Sequence, residues 1–105
     1  MDQSQLIKGV LELALLAVIA REESYGYEIL STLEAAGLDG VGDASVYGTL
    51  RRLERAGHLT SRLEASDSGP ARKYYVITPV GREELRVGTE TWARINTAFG
   101  GLVKP

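Results

Sequence analysis

Ser45, Tyr47 and Gly48 stand one turn before Arg51, Arg52 and Arg55. On one α-helix this order gathers small and hydroxyl-bearing residues near the N-terminal end and guanidinium groups behind them. Free backbone N–H groups point outward at a helix N-terminus, so hydroxyls there suit a phosphate. Arginine either holds phosphate or reads a guanine edge through two hydrogen bonds. The expectation is that Ser45, Tyr47 and Gly48 lie nearest to bases and that Arg51 serves phosphate. Arg51 and Arg52 are adjacent, so they point to different sides and do not share a task. Further on, Arg72 and Lys73 follow the turn signal Asp67-Ser68-Gly69-Pro70. From there a hairpin could touch a minor groove or a phosphate backbone.

The charge map agrees with such a surface. The net charge of the 105 residues is −2. Residues 10–43 carry one base against seven acids, whereas residues 45–75 carry six bases against three acids. A mildly acidic chain can therefore present a basic face, and phosphate binding needs local cations rather than a basic total. Charge alone would favour a solvated mixed surface, and placement on secondary structure has to decide.

Other chemistries find little support. There is no cysteine and only one histidine, His58. Thiolate metal sites and disulfides are excluded, and only a carboxylate-rich metal site could remain. No metal and no cofactor are expected. The acids show no paired arrangement, and no nucleophile, base and orienting group come together, so an enzyme is not expected. Gly37, Gly40 and Gly42 resemble a phosphate-cradling loop, but no strand precedes them and no Lys-Ser/Thr follows. The uncharged run Leu13–Ala20 is too short to cross a bilayer, and its charged flanks do not suit a signal peptide. The expected compartment is the cytoplasm, with no membrane partner.

The elements that must position these residues follow from periodicity. With 44% hydrophobic and 25% charged residues the chain is globular, and its length makes one domain with a modest core, so a partner subunit is expected. A first helix spans residues 5–21 and is apolar nearly all round, which demands cover on two sides. The second cover is assigned to another chain. Ser24 is the expected N-cap of a second helix over Tyr25–Ala36, which stops at Gly37. Asp43 is the expected N-cap of a third helix over Ala44–Ala56, which stops at Gly57. The pattern then alternates, predicting a hairpin whose return strand is Arg72–Thr78. Thr78 caps a final helix with Pro79 at its first position. That helix carries Leu85, Gly88, Trp92, Ile95, Phe99 and Leu102 at spacings of three and four, the seam of a helix lying along another helix, with Gly88 as a gap. The fold class expected is mainly α with a small β-hairpin (α+β): a winged helix-turn-helix over residues 1–78 and a C-terminal dimerisation helix over 79–105. The second helix would brace the third, which enters a major groove.

Read in order, these residues resemble the PadR-like transcriptional regulators. The carriers are Leu6-Ile7-Lys8-Gly9, Tyr25-Gly26-Tyr27-Glu28-Ile29, the run from Ser45 to Gly57, Gly69-Pro70-Ala71-Arg72-Lys73-Tyr74-Tyr75, and Thr78-Pro79-Val80-Gly81. The resemblance implies a bacterial cytoplasmic homodimer on pseudo-palindromic operator DNA, usually a repressor released by a ligand. It adds Lys8, Tyr25 and Thr49 to the DNA-contacting set of Ser45, Tyr47, Gly48, Arg51, Arg52, Arg72 and Lys73. The family often has proline where this chain has Gly48, so base preference does not transfer. His58 reads as structural.

The short tail resembles the small subfamily that includes multidrug-responsive repressors, in which a tryptophan of the last helix stacks on flat aromatic drugs near the dimer axis. Trp92 stands at the matching place and is either such a platform or a plain dimer anchor. Asn96 could add a polar contact. Glu12, an acid inside an apolar helix, needs water, a partner or a cationic ligand. With Leu13 these form the expected ligand set. The expected dimer interface is Leu6, Val10, Leu85, Trp92, Ile95, Phe99 and Leu102. Two rival readings stay open: a winged-helix module that binds protein, and a small-molecule sensor without an operator.

Overall fold

Gly9 sits where the first apolar helix should be continuous, and the helix breaks there. Glycine is a poor residue for a helix interior. The computed structural model describes residues 3–104; the outermost residues of the two predicted segments, Met1, Asp2 and Pro105, lie outside the described residues. In place of one helix over 5–21 there are α1 (Gln3–Ile7) and α2 (Leu11–Arg21). The Val10 N–H closes the intervening turn on the Ile7 carbonyl at 2.9 Å. The Gln3 amide ties α1 to a distant turn, donating to the Gly37 carbonyl at 2.8 Å and accepting from the Gly40 N–H at 3.1 Å.

Ser24 does not cap the next helix. Ser24–Tyr25 form a short strand, β1, antiparallel to the later strand β3 (Gly69–Ile77), with Ser24 opposite Tyr75 and Tyr25 opposite Tyr74. The helix α3 (Gly26–Ala35) follows directly, and the Tyr25 N–H reaches the Glu28 carboxylate at 3.4 Å. Likewise Asp43 is the first residue of α4 (Asp43–Arg55) rather than its cap; Gly42 holds the cap position. Asp43 still places a negative charge in the first turn, where the helix dipole favours it. The predicted stops are observed: Gly37 and Gly57 take positive φ of 94° and 83°.

Strand β2 (Leu59–Ser66) pairs antiparallel with β3, from Leu59 opposite Ile77 to Ser66 opposite Gly69, with an irregularity between Glu64 and Ser66. The sheet order is β1-β3-β2, so the predicted hairpin is the larger part of a three-stranded sheet. The last helix, α5 (Pro79–Val103), begins as expected: Thr78 Oγ1 accepts from the Gly81 N–H at 3.0 Å and Pro79 opens the first turn.

The core joins Leu15, Leu16 and Ile19 of α2 to Ile29 and Leu33 of α3, Val46, Leu50 and Leu53 of α4, and Leu59, Tyr75 and Ile77 of the sheet. Helix α2 is the hub, packed on α3, α4, α5 and β3. Part of the second cover that the sequence reading assigned to another chain therefore comes from this chain. Leu13 of α2 lies against Gly88 of α5, where a Cβ would come within 2.7 Å of Leu13 Cδ1. The apparent gap in the α5 seam is a seat for Leu13. Leu85 also packs on the core. Beyond this point α5 runs uncovered: Phe99 is 62% and Leu102 81% exposed.

Candidate nucleic-acid interface

Exposed residues of α4 lie along two flanks, and each flank meets a different part of the chain. On one flank Tyr47 and Arg51 share a notch with Tyr25 and Tyr27 of β1 and α3 and with Arg72, Lys73 and Tyr75 of β3. The Tyr47 ring rests on Gly26, where a Cβ would come within 2.6 Å of Tyr47 Oη. That close approach sets the distance between the bracing helix and α4. Helix spacing did not reveal it, although the Tyr25-Gly26-Tyr27 motif contains it.

A stack of rings and cations carries the notch into the wing. The Arg72 guanidinium lies 4.5 Å from the centre of the Tyr25 ring. Tyr25 meets Tyr74 with centroids 5.3 Å apart, and Arg62 lies 5.5 Å over Tyr74. Arg62 also pairs with Glu23 and, at 3.1 Å, with Glu64. The hydrogen bond from Arg62 holds the Glu23 carboxyl below its ordinary range. Cation–π contact leaves the guanidinium N–H groups on the ring's outer side available to an acceptor.

Lys73 is engaged differently. Its Nζ is 3.1 Å from Glu54 of α4 and 5.4 Å over the Tyr75 ring. Glu54 also accepts from Ser61 Oγ at 2.6 Å. The Ser61 hydroxyl, with Lys73 behind it, pulls the Glu54 carboxyl below its ordinary value; the bond from Lys73 to Glu54 raises the Lys73 ammonium. Lys73 thus locks the wing to α4. Glu54 was not among the expected site residues, because Ser61 and Lys73 come to it only through the sheet register.

On the other flank Ser45, Gly48 and Arg52 share a recess with Lys8 and Leu11. Arg51 and Arg52 therefore do face different partners. Thr49 lines this recess but is buried, and its hydroxyl donates to the Ser45 carbonyl at 2.7 Å. Expected in the DNA-contacting set, Thr49 instead gives its hydroxyl proton to the helix's own backbone. Arg52 Nε donates to Glu12 Oε1 at 2.9 Å. The partner Glu12 needed is this arginine. Arg55 is exposed at the end of α4.

Behind the head, α2 and α5 enclose a groove lined by Glu12, Leu13, Glu84, Val87, Gly88, Thr91, Trp92 and Ile95. A second, more apolar recess on the other side of Leu13 and Trp92 is lined by Val10, Leu38 and Leu85 among others. Three of the expected ligand residues thus meet. Asn96 is exposed and outside both linings. Of the expected dimer residues, Leu6, Trp92, Ile95, Phe99 and Leu102 are exposed, whereas Val10 and Leu85 are half-buried within this chain. The His58 carbonyl accepts from both Thr78 N and Thr78 Oγ1, and its Nδ1 is buried without a hydrogen-bond partner. Among the described residues, no three His, Cys, Asp or Glu gather where they could hold a metal ion, and no helix is long and apolar enough to cross a membrane.

A braced helix with a cationic outer face, beside a two-stranded wing, defines a winged helix-turn-helix protein. Comparison with known proteins agrees and goes further. The model of the transcriptional regulator PadR-like family matches residues 15–87, and the chain belongs to that family. A PadR-like transcriptional regulator from Bacillus cereus is 38% identical, with 97% of this chain and 99% of that one covered and a TM-score of 0.85. A Streptococcus transcriptional regulator is 34% identical over 95% and 98% of the two chains, with a TM-score of 0.84. Bacillus subtilis PadR, solved in complex with operator DNA, is 26% identical over 76% of this chain and 46% of its own, with a TM-score of 0.70.

Proposed function

We propose that this chain is a sequence-specific DNA-binding transcriptional regulator that works as a homodimer in the bacterial cytoplasm. The observation that carries this reading is the notch that brings Tyr25, Tyr47, Arg51 and Arg72 from three elements onto one face. The operator complex of the Bacillus subtilis relative supports it. Helix α4 enters the major groove; Ser45, Tyr47 and Gly48 lie toward the bases, Arg51 on phosphate, and Arg72 beside the wing on the neighbouring backbone. Lys8 extends the second flank. The exposed apolar seam Trp92, Ile95, Phe99 and Leu102, with Leu6 on α1, meets its copy on a second chain. Two heads on such an axis read a pseudo-palindrome with half-sites about one helical turn, ~10 bp, apart.

The regulator acts as a repressor that a small molecule releases. A planar aromatic ligand stacks on Trp92 beside Leu13, and the carboxylates of Glu12 and Glu84 favour a positive charge on it. Its binding favours a spacing of the two heads that misfits DNA. Titration of planar cations against Trp92 fluorescence tests this part, and no response across the series counts against it.

The DNA reading is tested by duplex binding across a salt series. Affinity is expected to fall steeply as salt rises, and Arg51→Ala and Arg72→Ala each to lower the log–log slope by about 0.9. Binding that ignores both salt and these substitutions points to a protein-binding winged helix instead.

A further inference from the structure

Glu12 sits on α2 with one carboxylate and two outlooks. It lines the groove with Glu84 and Trp92, and it accepts the Arg52 Nε–H at 2.9 Å. Arg52 in turn belongs to the Lys8, Ser45 and Gly48 flank of α4. Both side chains are about half exposed, at 57% and 51%. They are therefore open to exchange with solvent ions and to competing partners. A carboxylate and a phosphate offer a guanidinium the same planar pair of acceptor oxygens.

We propose that Glu12 is an internal stand-in for a DNA phosphate, holding Arg52 out of the interface until a backbone phosphate displaces it. The proposal rests on the DNA-binding reading above and adds a gate to it. Arg52 has one guanidinium, so its Nε–H is given either to Glu12 or to DNA. A phosphate held through the Nε edge must first displace Glu12, whereas the Nη groups reach an acceptor with the pair intact. Wild-type affinity is thereby set below what the cations of α4 alone would give. Exposed pairs are weak, so the gate is shallow and reversible. The two partners are 40 residues apart in sequence, and the pair exists only because α2 carries Glu12 past the side of α4.

Linkage gives the gate a sign. Whatever neutralises Glu12 from the groove side frees Arg52 for phosphate. By reciprocity, DNA that takes Arg52 leaves Glu12 as an unpaired anion facing the groove. At this pair, positive charge in the groove and DNA on α4 therefore favour each other. This opposes release through the spacing of the heads, so the pair limits how far a cationic ligand can weaken DNA binding.

The test is a double-mutant cycle on the full chain, using Glu12→Gln, Arg52→Gln and the double variant. Binding of a random-sequence ~30 bp duplex at low salt is read by fluorescence anisotropy, since phosphate contacts do not depend on sequence. Circular dichroism melts check that each variant folds, as expected for changes at two half-exposed positions. Glu12→Gln is expected to tighten binding about two- to fivefold when Arg52 is present, the range that loss of one exposed pair allows. It is expected to change binding far less when Arg52 is already glutamine. Equal tightening in both backgrounds means only that a repulsive charge was removed, and it overturns the gate. Weaker binding by Glu12→Gln also overturns it, because Glu12 would then be steadying Arg52 on DNA. If no variant, wild type included, binds the duplex, the DNA reading itself fails. A cycle without coupling in variants that do bind sinks the gate alone.

Discussion

Gly26→Ala separates the packing of the head from its reading of DNA. A Cβ at this position comes within 2.6 Å of Tyr47 Oη and 2.8 Å of Tyr47 Cζ. Carbon atoms do not approach that closely, so something must move. Tyr47 is 38% exposed, so its ring can swing toward solvent without moving α4. Leaving a preferred rotamer costs about 0.5–1.5 kcal/mol. Alanine in place of glycine at the start of α3 offsets part of this, at most about 1 kcal/mol. The net change in stability is then within about 1 kcal/mol, or ~4–8 °C in Tm for a domain near this size. Duplex affinity is expected to fall much further, about 1–3 kcal/mol, because Tyr47 leaves the notch it shares with Tyr25, Arg51 and Arg72. Thermal melts and anisotropy on the same samples measure both quantities. In the Tyr47→Ala background the substitution should cost no further affinity. An equal loss with and without Tyr47, or wild-type affinity in Gly26→Ala alone, refutes the reasoning.

Gly81→Ala makes a sharper clash with a less forgiving neighbour, since its Cβ runs into the backbone carbonyl of His58. A carbonyl that already accepts from Thr78 cannot swing away, so a loss of about 1–3 kcal/mol is expected in urea unfolding; a midpoint unchanged from wild type refutes the close approach. The Glu54 tie between wing and α4 is pH-sensitive. Its folded carboxyl lies below the ordinary 4.5, so the stabilisation is fully present above that value and is lost as pH falls through the folded pKa. Urea midpoints of wild type and Glu54→Gln should differ near neutrality and converge in acid, by no more than about 1 kcal/mol for so exposed a pair; a gap that widens in acid reverses the sign. Phe99→Lys with Leu102→Lys should shift sedimentation of the chain toward the protomer while leaving its melt broadly intact, because neither residue serves the intrachain core; an unchanged assembly state places the interface elsewhere.

Elements with a local cause were legible in the sequence. Gly37 and Gly57 end their helices because the left-handed conformation there favours glycine, and Thr78-Pro79 starts α5 by its own chemistry. Elements whose cause is distant were not. Two residues cannot show alternation, so β1 is a strand only because β3 offers a free edge to Ser24 and Tyr25. Ser24 was read as a cap for the same reason: its type suits a cap, but the sheet claims it. The types of the candidate site residues are readable in the sequence, and that Arg51 and Arg52 point to different sides follows from helix geometry. Their partners were not, because Glu12 with Arg52, Glu54 with Lys73, and Tyr47 with Gly26 each join separate elements. Thr49 shows the limit most plainly. The family resemblance put it among the contacts, whereas the helix interior uses its hydroxyl on the Ser45 carbonyl.

Of these long-range pairs, Glu12 with Arg52 joins the head to the groove behind it. Helix α2 packs on α4 in front and on α5 behind, so a rearrangement of α5 reaches the middle of α4 through it. Two adjacent residues of α2 carry the two kinds of link. Leu13 is seated on Gly88 by shape, a contact that resists displacement because packed interiors deform little. Glu12 holds Arg52 by charge, a contact that yields at small cost because both groups stay wet. A shift of α5 is therefore transmitted as a rigid displacement of the head, while a change of charge in the groove is transmitted as the freeing or binding of one arginine. In the proposed dimer the first would alter the spacing between paired heads and act on both half-sites together. The second alters one phosphate contact within each head and would act on a single half-site just as well.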